Sequence, residues 1–592
     1  MSIYSNFSPQ PPIEEQAKKP KKKPSPERRI KIMLLLFGVF ALFLSAQVVR
    51  HQLFGSMSEK ELVRPSIKLL PRGAIVDTHG HPLAIQRFRY QVVASPYIMG
   101  PKTKKLVSQE LSVLLGMSEE ALMSQLNEYD EMHQDITLDE DIGSETGEAI
   151  KALDLTGIGV YIYPIRFHPE KNMASHVLGF VSVDNVGRYG LESYFDSFLV
   201  APTNKISPHP TPHLEKTEQG QSPENSLPDS PFIPSLARRD LILSLDRALQ
   251  YVAEQELKAG IEAYKAENGV IIIMDPKTSA VLAMAAYPDY DPDNFSAVPS
   301  DDIYINPAIS KIYEPGSVFK LITFAAALNE SIITPETKYD DTDEFIYFQQ
   351  TVQNWDREGR GIVTAQQALA QSLNVTTAKI ATDLGQEKFY KAVARFGFGV
   401  NTGIDLAYEA GGIVHTPNKP GWVPGYLATN SFGQAISVTP LQMANAVAAI
   451  ASGGVLHRPH VVRMVINGDV ARSKESEPVS RAITEKTAHT LTQMMIAAAE
   501  HTEEVTIPGY AIAGKTGTAE IPGMGGYKED RTIATFTGFF PADDPQFLVL
   551  VKLERPKTSA WASQTAAPVF RKVVQAIINM YGIPPDAVRH NQ

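Results

Sequence analysis

The sequence predicts an α+β fold in which helices cover an antiparallel sheet, preceded by an elongated mixed α/β pedestal and an N-terminal membrane anchor. Three observations lead to this prediction: a charge-free apolar run near the N-terminus, short strand and helix patterns before residue 200, and a later order of helix, strands, many helices and strands again. That order is typical of one sheet assembled from both ends of a domain, with the middle helices packed on it.

Composition indicates a globular protein with more than one folded unit. A length of 592 residues exceeds what one hydrophobic core supports. Hydrophobic residues make up 43% and charged residues 20% of the chain, as in ordinary globular proteins. The net charge of -11 argues against a nucleic-acid partner. The absence of cysteine excludes disulfides, thiolate catalysis and Cys-containing zinc sites.

The N-terminus predicts a cytoplasmic basic tail at residues 1–31 and a transmembrane helix at residues 32–49. The run IMLLLFGVFALFLSAQVV has no charge over 18 residues, and at 1.5 Å per residue it spans about 27 Å, enough for a bilayer core. The lysines and arginines before it hold the tail in the cytoplasm, so the later domains are expected outside it. A cleaved signal peptide is the alternative, but the run is longer than such signals usually carry.

The next two segments have different characters. Residues 50–200 form the predicted pedestal, in which PRGAIVDTHGHPLAIQ predicts a hairpin and TKKLVSQELSVLLGMSEEALMSQL two short helices. No catalytic pattern occurs there. Residues 201–237 contain eight prolines and little apolar periodicity, which predicts a linker or disordered insertion.

Residues 238–582 form the predicted catalytic domain. LDRALQYVAEQELKAGIEAYKA predicts an amphipathic helix, and GVIIIMD and SAVLAMAA predict an antiparallel hairpin around a Pro-Lys-Thr turn. Helical patterns follow at 317–329, 364–384 and 438–451, and apolar strand patterns at 533–540 and 546–553.

The segment GYAIAGKTGTAE matches two unrelated motifs. Gly509, Gly514, Lys515 and Thr516 fit a phosphate-binding loop, and the same segment contains the K-T-G of serine enzymes that act on D-alanyl peptides and penicillin. A phosphate-binding loop needs a strand before it and a helix after it, whereas polar residues precede this segment and glycines and a proline follow it. The segment AIAGKTGTA is better described as a strand, which a peptide substrate could pair with at an exposed edge.

Two further motifs precede K-T-G in the chain. They are S-V-F-K at 317–320 and S-L-N at 372–374, and K-T-G follows at 515–517. Each is common by chance, but all three in this order and in suitable contexts are specific.

The first motif is placed for nucleophilic catalysis. The Pro-Gly pair before Ser317 and the apolar run after it predict a helix that begins at or next to this serine, so Lys320 lies one turn later on the same face. A lysine acts as a base only if burial and nearby positive charge lower its pKa from about 10.4, and Lys515 and the helix dipole are the candidate sources of that charge. A simple helix cap at Ser317 with a solvated Lys320 is the structural alternative.

With these motifs the sequence resembles the class B high-molecular-mass penicillin-binding proteins, which are peptidoglycan D,D-transpeptidases. The resemblance runs from the anchor to about residue 580, and EPGS and KTGTAE are closer to the septal branch than to the elongation branch. It also includes residues of the pedestal: Arg72, Gly73, Asp77, Arg166, Pro169, Ala174, His176, Gly179, Gly187, Gly190 and Glu192.

The resemblance implies a role for each motif residue. Ser317 would attack the penultimate D-alanine of a stem peptide, with Lys320 as its general base. Ser372 would relay a proton to the leaving amine, and Asn374 would hold the substrate amide and orient Lys320.

The K-T-G strand would bind the substrate. Thr516, Gly517 and Thr518 are the implied substrate-binding residues, with the two threonine hydroxyls on the terminal carboxylate and Lys515 supplying positive potential. The backbone N–H groups of Ser317 and Thr518 would form an oxyanion hole. The resemblance implies no metal or organic cofactor.

The resemblance also implies partners and a location. Partners would be peptidoglycan stem peptides and their lipid-linked precursor, β-lactam antibiotics as inhibitors, a membrane-embedded glycan polymerase and division-complex proteins. The location would be the bacterial cell membrane, with a single span.

Four alternatives stay open. An elongation-type transpeptidase would share the motifs. A serine β-lactamase would also share them, but nothing resembles its deacylating Glu loop. A β-lactam-binding sensor would need a larger cytoplasmic part than residues 1–31. Residues 50–200 could, in addition to catalysis, position or activate a glycan polymerase.

Overall fold

The computed structural model describes residues 71–200, 239–417, 419–523 and 526–590. The predicted tail, membrane helix and Pro-rich linker therefore lie outside the described residues. Among the described residues, no helix is both long enough and apolar enough to cross a membrane.

The region before residue 200 contains strands and short helices in alternation. Its strands are β1 (Ile75–Val76), β2 (Pro82–Ala94), β3 (Ile136–Ile142), β4 (Ile158–Phe167), β5 (Phe180–Val181) and β6 (Gly187–Arg188). Its helices are α1 (Pro101–Leu115), α2 (Glu119–Glu131), α3 (Ser144–Ala152), α4 (Ser175–Leu178), α5 (Gly190–Tyr194) and α6 (Asp196–Leu199). The predicted hairpin forms between β1 and β2, and the two predicted helices are α1 and α2.

The region after residue 238 begins and ends with sheet strands and contains most of the helices. Its strands are β7 (Leu241–Leu243), β8 (Asn268–Asp275), β9 (Ala280–Tyr287), β10 (Lys338–Asp341), β11 (Glu344–Tyr347), β12 (Gln350–Gln353), β13 (Gly361–Thr364), β14 (Val455–His457), β15 (Val462–Asn467), β16 (Val470–Ser473), β17 (Pro478–Arg481), β18 (Ala513–Gly523), β19 (Gly526–Phe540) and β20 (Phe547–Glu554). Its helices are α7 (Arg247–Tyr264), α8 (Pro307–Ser310), α9 (Lys320–Asn329), α10 (Ala365–Ala370), α11 (Asn374–Leu384), α12 (Gln386–Arg395), α13 (Tyr426–Ser431), α14 (Pro440–Ala451), α15 (Glu485–Glu500), α16 (Ala566–Tyr581) and α17 (Asp586–Arg589).

The central sheet of the catalytic region is antiparallel, as predicted. Its order is β18-β19-β20-β8-β9, so strands from both ends of the region lie side by side. Strand β8 of the β8–β9 hairpin pairs with β20, with Ile271 opposite Val551. Strand β20 in turn pairs with β19. Strand β18 lies at the edge of this sheet, which is where a strand-like substrate would have to add.

Helices cover both faces of this sheet. Val270, Ile272 and Met274 of β8 belong to one apolar core with the middle helices, including α9 and α14. Ile271 and Ile273 point into a second core with α7 and α16. Because side chains alternate along a strand, the apolar run GVIIIMD serves both cores. The predicted cover by the middle helices is confirmed, and the first and last helices add a second cover that the sequence pattern did not indicate.

A second sheet joins the two regions. Its order is β16-β15-β7-β1-β2-β3, with β4 paired to β2, so strands from before residue 200 and after residue 238 share one hydrogen-bonded sheet. β1 pairs with β7 in parallel, with Ile75 opposite Leu241. The pedestal is thus joined to the catalytic region by backbone hydrogen bonds between β1 and β7.

One helix that the sequence predicts as continuous is interrupted in the structure. The pattern over 364–384 predicts a single helical stretch, but the structure ends α10 at Ala370 and begins α11 at Asn374. Ser372 between them has φ +59°, in the left-handed region that a helix cannot contain. This break lies at the second sequence motif.

Candidate active site

Ser317 lies in a short 3-10 turn, Gly316–Phe319, directly before α9. The predicted helix start is therefore confirmed, with a tighter first turn. Gly316 has φ +56°, and a β-carbon there would lie 2.9 Å from Thr518 O. Only glycine allows both this conformation and this approach. The turn that carries Ser317 thus packs against the K-T-G strand.

Gly517 permits the same approach from the other side. A β-carbon at position 517 would lie 2.6 Å from Val318 Cγ2 and 2.8 Å from Pro315 O. The small residue of the third motif therefore fits under the turn that carries the first motif.

Lys320 is fully buried and contacts the second motif. Its Nζ donates to Ser372 O at 2.5 Å, to Ser372 Oγ at 3.2 Å and to Asn374 Oδ1 at 2.7 Å. Burial lowers the pKa of Lys320 well below its ordinary value, the positive charge of Lys515 lowers it further, and Asp341 opposes both effects. A lowered pKa favours the neutral amine, which is the form that can accept a proton.

Ser317 is half-buried, and within the described parts of the chain its hydroxyl makes no hydrogen bond. The Lys320 amine is instead occupied by Ser372 and Asn374. The sequence predicts that Ser317 and Lys320 lie on the same helix face, but the two side chains form no direct hydrogen bond in the structure. Such bonds often tighten only when substrate is bound.

The break between α10 and α11 sets the position of the second motif. The left-handed conformation of Ser372 turns the chain so that its carbonyl and its hydroxyl both accept from Lys320. Strained conformations of this kind in non-glycine residues are concentrated at functional sites.

Asn374 is held by residues that the sequence analysis missed. Asn354 Oδ1 accepts from Asn374 N at 2.8 Å, and Asn374 Nδ2 donates to Gln353 O at 3.0 Å. Asn354 in turn donates to the buried Asp341 at 2.6 Å. No motif marks these residues in the sequence, because they lie in short hairpins with ordinary turn composition.

Lys515 is buried on β18, with 2% of its surface exposed. Its Nζ donates to Thr516 O and Thr516 Oγ1, both at 3.2 Å. Burial lowers the pKa of Lys515 to about 7. An incoming carboxylate would be attracted by its protonated form.

Two tryptophans contact each other beside the second and third motifs. Trp355 follows Asn354, and Trp561 precedes Ala562, whose N–H donates to Thr518 Oγ1 at 3.1 Å. The two indole rings contact edge to face with centroids 5.0 Å apart. The structure thus brings all eight predicted site residues together through these contacts: Ser317, Lys320, Ser372, Asn374, Lys515, Thr516, Gly517 and Thr518.

Comparisons with known proteins cover both regions of the chain. The family described as Penicillin binding protein transpeptidase domain matches residues 269–575, and that described as Penicillin-binding Protein dimerisation domain matches residues 68–207. Stage V sporulation protein D of Bacillus subtilis (strain 168) is 30% identical over 578 residues, which cover 95% of this chain and 87% of that protein. Peptidoglycan D,D-transpeptidase FtsI of Escherichia coli (strain K12) is 28% identical over 572 residues, 94% of this chain and 92% of that one.

Solved structures share the fold at lower identity. Penicillin Binding Protein 2X from Streptococcus thermophilus has a TM-score of 0.72 at 22% identity, covering 86% of this chain and 80% of that one. Penicillin binding protein 3 from Mycobacterium tuberculosis, complexed with aztreonam, has a TM-score of 0.66 at 23% identity, covering 87% and 97%. Since the transpeptidase match spans more than half of the chain and the dimerisation match precedes it, the chain belongs to the penicillin-binding proteins of class B.

Proposed function

We propose that this protein is a serine-type peptidoglycan D,D-transpeptidase that cross-links stem peptides through an acyl-enzyme on Ser317. The observation that carries the proposal is the meeting of three motifs around one buried amine. Lys320 belongs to the first motif, donates hydrogen bonds to Ser372 and Asn374 of the second, and has its pKa lowered by burial and by Lys515 of the third.

Acylation uses the first two motifs. The neutral Lys320 amine takes the hydroxyl proton as Ser317 Oγ attacks the carbonyl carbon of the penultimate D-alanine. The bond to the terminal D-alanine nitrogen then breaks. Ser372 passes its proton to that leaving amine and takes in exchange the proton held by Lys320, which returns to the neutral form. The products are the Ser317 ester and free D-alanine.

Transfer reverses these proton movements. The amine of a second stem peptide attacks the ester carbonyl and gives up a proton through Ser372 to Lys320 as the new amide forms. Ser317 Oγ leaves and regains a proton from Lys320. The amide that forms replaces the amide that was broken.

The K-T-G strand would position the acyl donor. Strand β18 is an edge strand, so the extended peptide can pair with it. Thr516 and Thr518 would bind the terminal carboxylate, with Gly517 between them leaving room for the turn of Ser317. The N–H groups of Ser317 and Thr518 would stabilise the oxyanion, each contributing roughly 3 kcal/mol.

A transfer assay with the full-length chain tests this function. The substrate is a synthetic peptide that ends in D-alanyl-D-alanine, and the acceptor is an excess of a second amine. We expect release of D-alanine and formation of the transferred peptide, both lost in Ser317→Ala. Transfer that persists in Ser317→Ala contradicts the proposal.

A second measurement on the same protein tests the two alternatives, a β-lactamase and a β-lactam sensor. A transpeptidase forms a benzylpenicillin adduct that lasts far longer than one catalytic turnover, whereas a β-lactamase releases it rapidly. A sensor would form the stable adduct but show no D-alanine release. Measuring adduct lifetime together with peptide transfer therefore separates the three.

The cellular role proposed is septal cell-wall synthesis. Its support is the likeness of EPGS and KTGTAE to the septal branch, together with the relative from Escherichia coli named FtsI. The relative from Bacillus subtilis is named for sporulation. A fluorescent fusion should concentrate at the division site, while uniform labelling of the side wall would favour the elongation role.

The chain organisation proposed has five parts: a cytoplasmic tail at 1–31, a single transmembrane helix at 32–49, a pedestal at 50–200, a linker at 201–237 and the transpeptidase domain at 238–582. The pedestal would also contact a membrane-embedded glycan polymerase and division proteins. Loss of membrane association on removal of residues 1–49 supports the anchor. Stimulation of polymerisation by Ser317→Ala protein supports the pedestal role.

A further inference from the structure

Asp341, at the end of β10, is a buried acid that the proposed reaction does not use. It is 1% exposed and accepts four hydrogen bonds. Its Oδ1 accepts from Thr376 N at 3.1 Å and Thr376 Oγ1 at 2.6 Å. Its Oδ2 accepts from Asn354 Nδ2 at 2.6 Å and Arg360 N at 3.2 Å. All four partners are donors, which is the environment of a carboxylate rather than a carboxylic acid.

The charge of Asp341 has no cationic side chain paired with it among the described residues. The nearby cations are engaged elsewhere. The Arg360 side chain pairs with Asp356, and Lys379 donates to Asp340 O and Thr342 Oγ1. A buried carboxylate held only by neutral donors is costly to keep, which argues that its charge has a use.

A short chain of hydrogen bonds connects Asp341 with the general base. Asp341 accepts from Asn354 at 2.6 Å, Asn354 accepts from Asn374 N at 2.8 Å, and Asn374 accepts from Lys320 at 2.7 Å. Thr376 fixes the same carboxylate from the first turn of α11, the helix that Asn374 begins. Asp341 therefore holds both the loop of Asn354 and the start of α11.

The electrostatic balance of the cleft also includes Asp341. Two buried lysines, Lys320 and Lys515, face the same site, and Asp341 is the acid whose negative charge acts on Lys320. It raises the pKa of Lys320, against the lowering caused by burial and by Lys515. Removing this charge should therefore make Lys320 easier to deprotonate.

We propose that Asp341 is a positioning residue of the transpeptidase site, which holds Asn374 against Lys320 through Asn354 and acts on Lys320 with its negative charge. This inference rests on the function proposed above. Asp341 touches neither the substrate nor the reacting atoms. Its action passes through Asn354 and Asn374.

The test is the rate of acylation of the full-length protein by benzylpenicillin, measured across pH for four proteins. Asp341→Asn should be slower by about tenfold at its optimum, and its acid limb should move to lower pH because Lys320 then loses its proton more readily. Asn354→Ala should be slower by a similar factor with an unmoved acid limb, since the carboxylate stays. Asp340→Asn, at the exposed neighbouring position, is the matched control and should follow the wild type.

The possible results distinguish a failure of the Asp341 proposal from a failure of the proposed transpeptidase function. An Asp341→Asn protein with the wild-type profile contradicts the positioning role, and a slower one with an unmoved acid limb contradicts the action of its charge on Lys320. If Asp341→Asn does not fold, Asn354→Ala decides: a reduced rate supports the hydrogen-bond chain and a wild-type rate overturns it. Wild-type protein that is not acylated at all counts against the proposed function instead.

Discussion

At the scale of single residues, the candidate site contains two buried lysines, Lys320 and Lys515. Within the described residues neither Lys320 nor Lys515 forms an ion pair, and both have a lowered pKa because they are buried. Keeping unpaired ammonium groups out of water opposes folding. This cost is typical of active sites, in which residues are tuned for a reaction rather than for stability.

Replacing Lys515 by methionine should therefore stabilise the protein while it abolishes peptide transfer. The fall of the pKa from 10.5 to about 7 corresponds to at most about 5 kcal/mol, and a gain of roughly 2 to 4 kcal/mol at pH 7 is expected. Because the unfolded state binds the extra proton, wild-type stability rises with pH between about 7 and 10.5, and the variant should lack this rise. Denaturant unfolding at pH 7 and pH 10 measures both effects. Equal stability of the wild type and Lys515→Met at pH 7 would show that burial of Lys515 does not oppose folding.

The pH dependence of acylation should be bell-shaped. The rate rises as Lys320 loses its proton, and it falls above about pH 7 as Lys515 loses the charge that attracts the substrate carboxylate. Lys515→Arg, whose guanidinium stays charged, should keep the acid limb and lack the alkaline one. The second-order acylation rate from pH 5 to pH 10 is the measurement. An alkaline limb that persists in Lys515→Arg would assign it to another group.

Which residues the sequence could indicate depends on whether a motif marks them. Ser317, Ser372 and Lys515 follow from motifs whose spacing is local. Asp341 and Asn354 carry no such signal, because their contacts with α11 depend on how two hairpins fold back on it. Only the packed structure brings them to Asn374.

At the scale of elements, the site is a turn seated on an edge strand. Strand β18 lies at the sheet edge and contacts the 3-10 turn of Ser317 through Gly517. The predicted strand over AIAGKTGTA is confirmed as β18. The predicted helix over 364–384 was wrong at Ser372, because apolar spacing continues across the break and gives no sign of the left-handed turn.

Gly517→Ala should disrupt this seating. A β-carbon would lie 2.6 Å from Val318 Cγ2 and 2.8 Å from Pro315 O, so the turn and the strand must separate. A displacement near 1 Å is expected to slow acylation by about 100-fold with a small loss of stability. Gly143→Ala is the control, because nothing lies within 4 Å of its β-carbon position. A wild-type acylation rate in Gly517→Ala would show that the contact does not position Ser317.

At the scale of the whole molecule, the pedestal and the catalytic region share a sheet. Strands β1 and β2 join β7 and β15 across a long separation in sequence. Beside this sheet lies a buried ion cluster in which Glu192 Oε2 contacts Arg72 at 2.5 Å and Glu192 Oε1 contacts Arg166 at 2.6 Å. Pattern analysis indicated each hairpin separately but not this shared sheet, since the pairing of short strands far apart leaves no local signal.

Glu192→Gln should destabilise both regions together. It leaves two buried guanidinium groups without their common carboxylate, which is expected to lower the free energy of unfolding by about 3 to 5 kcal/mol. Because one sheet spans the two regions, calorimetry should show a single transition that moves as a whole. The exposed Glu110→Gln is the control and should leave that transition in place. Movement of only one of two separate transitions would mean that the regions unfold independently.

The proposed transpeptidase mechanism depends on Ser317 as the acylated residue. The most direct measurement is the intact mass of the full-length protein, wild type and Ser317→Ala, after incubation with benzylpenicillin. The account predicts one covalent adduct in the wild type, located on Ser317 by peptide mapping, and none in Ser317→Ala. An adduct that remains in Ser317→Ala, or one that maps to another residue in the wild type, would contradict it.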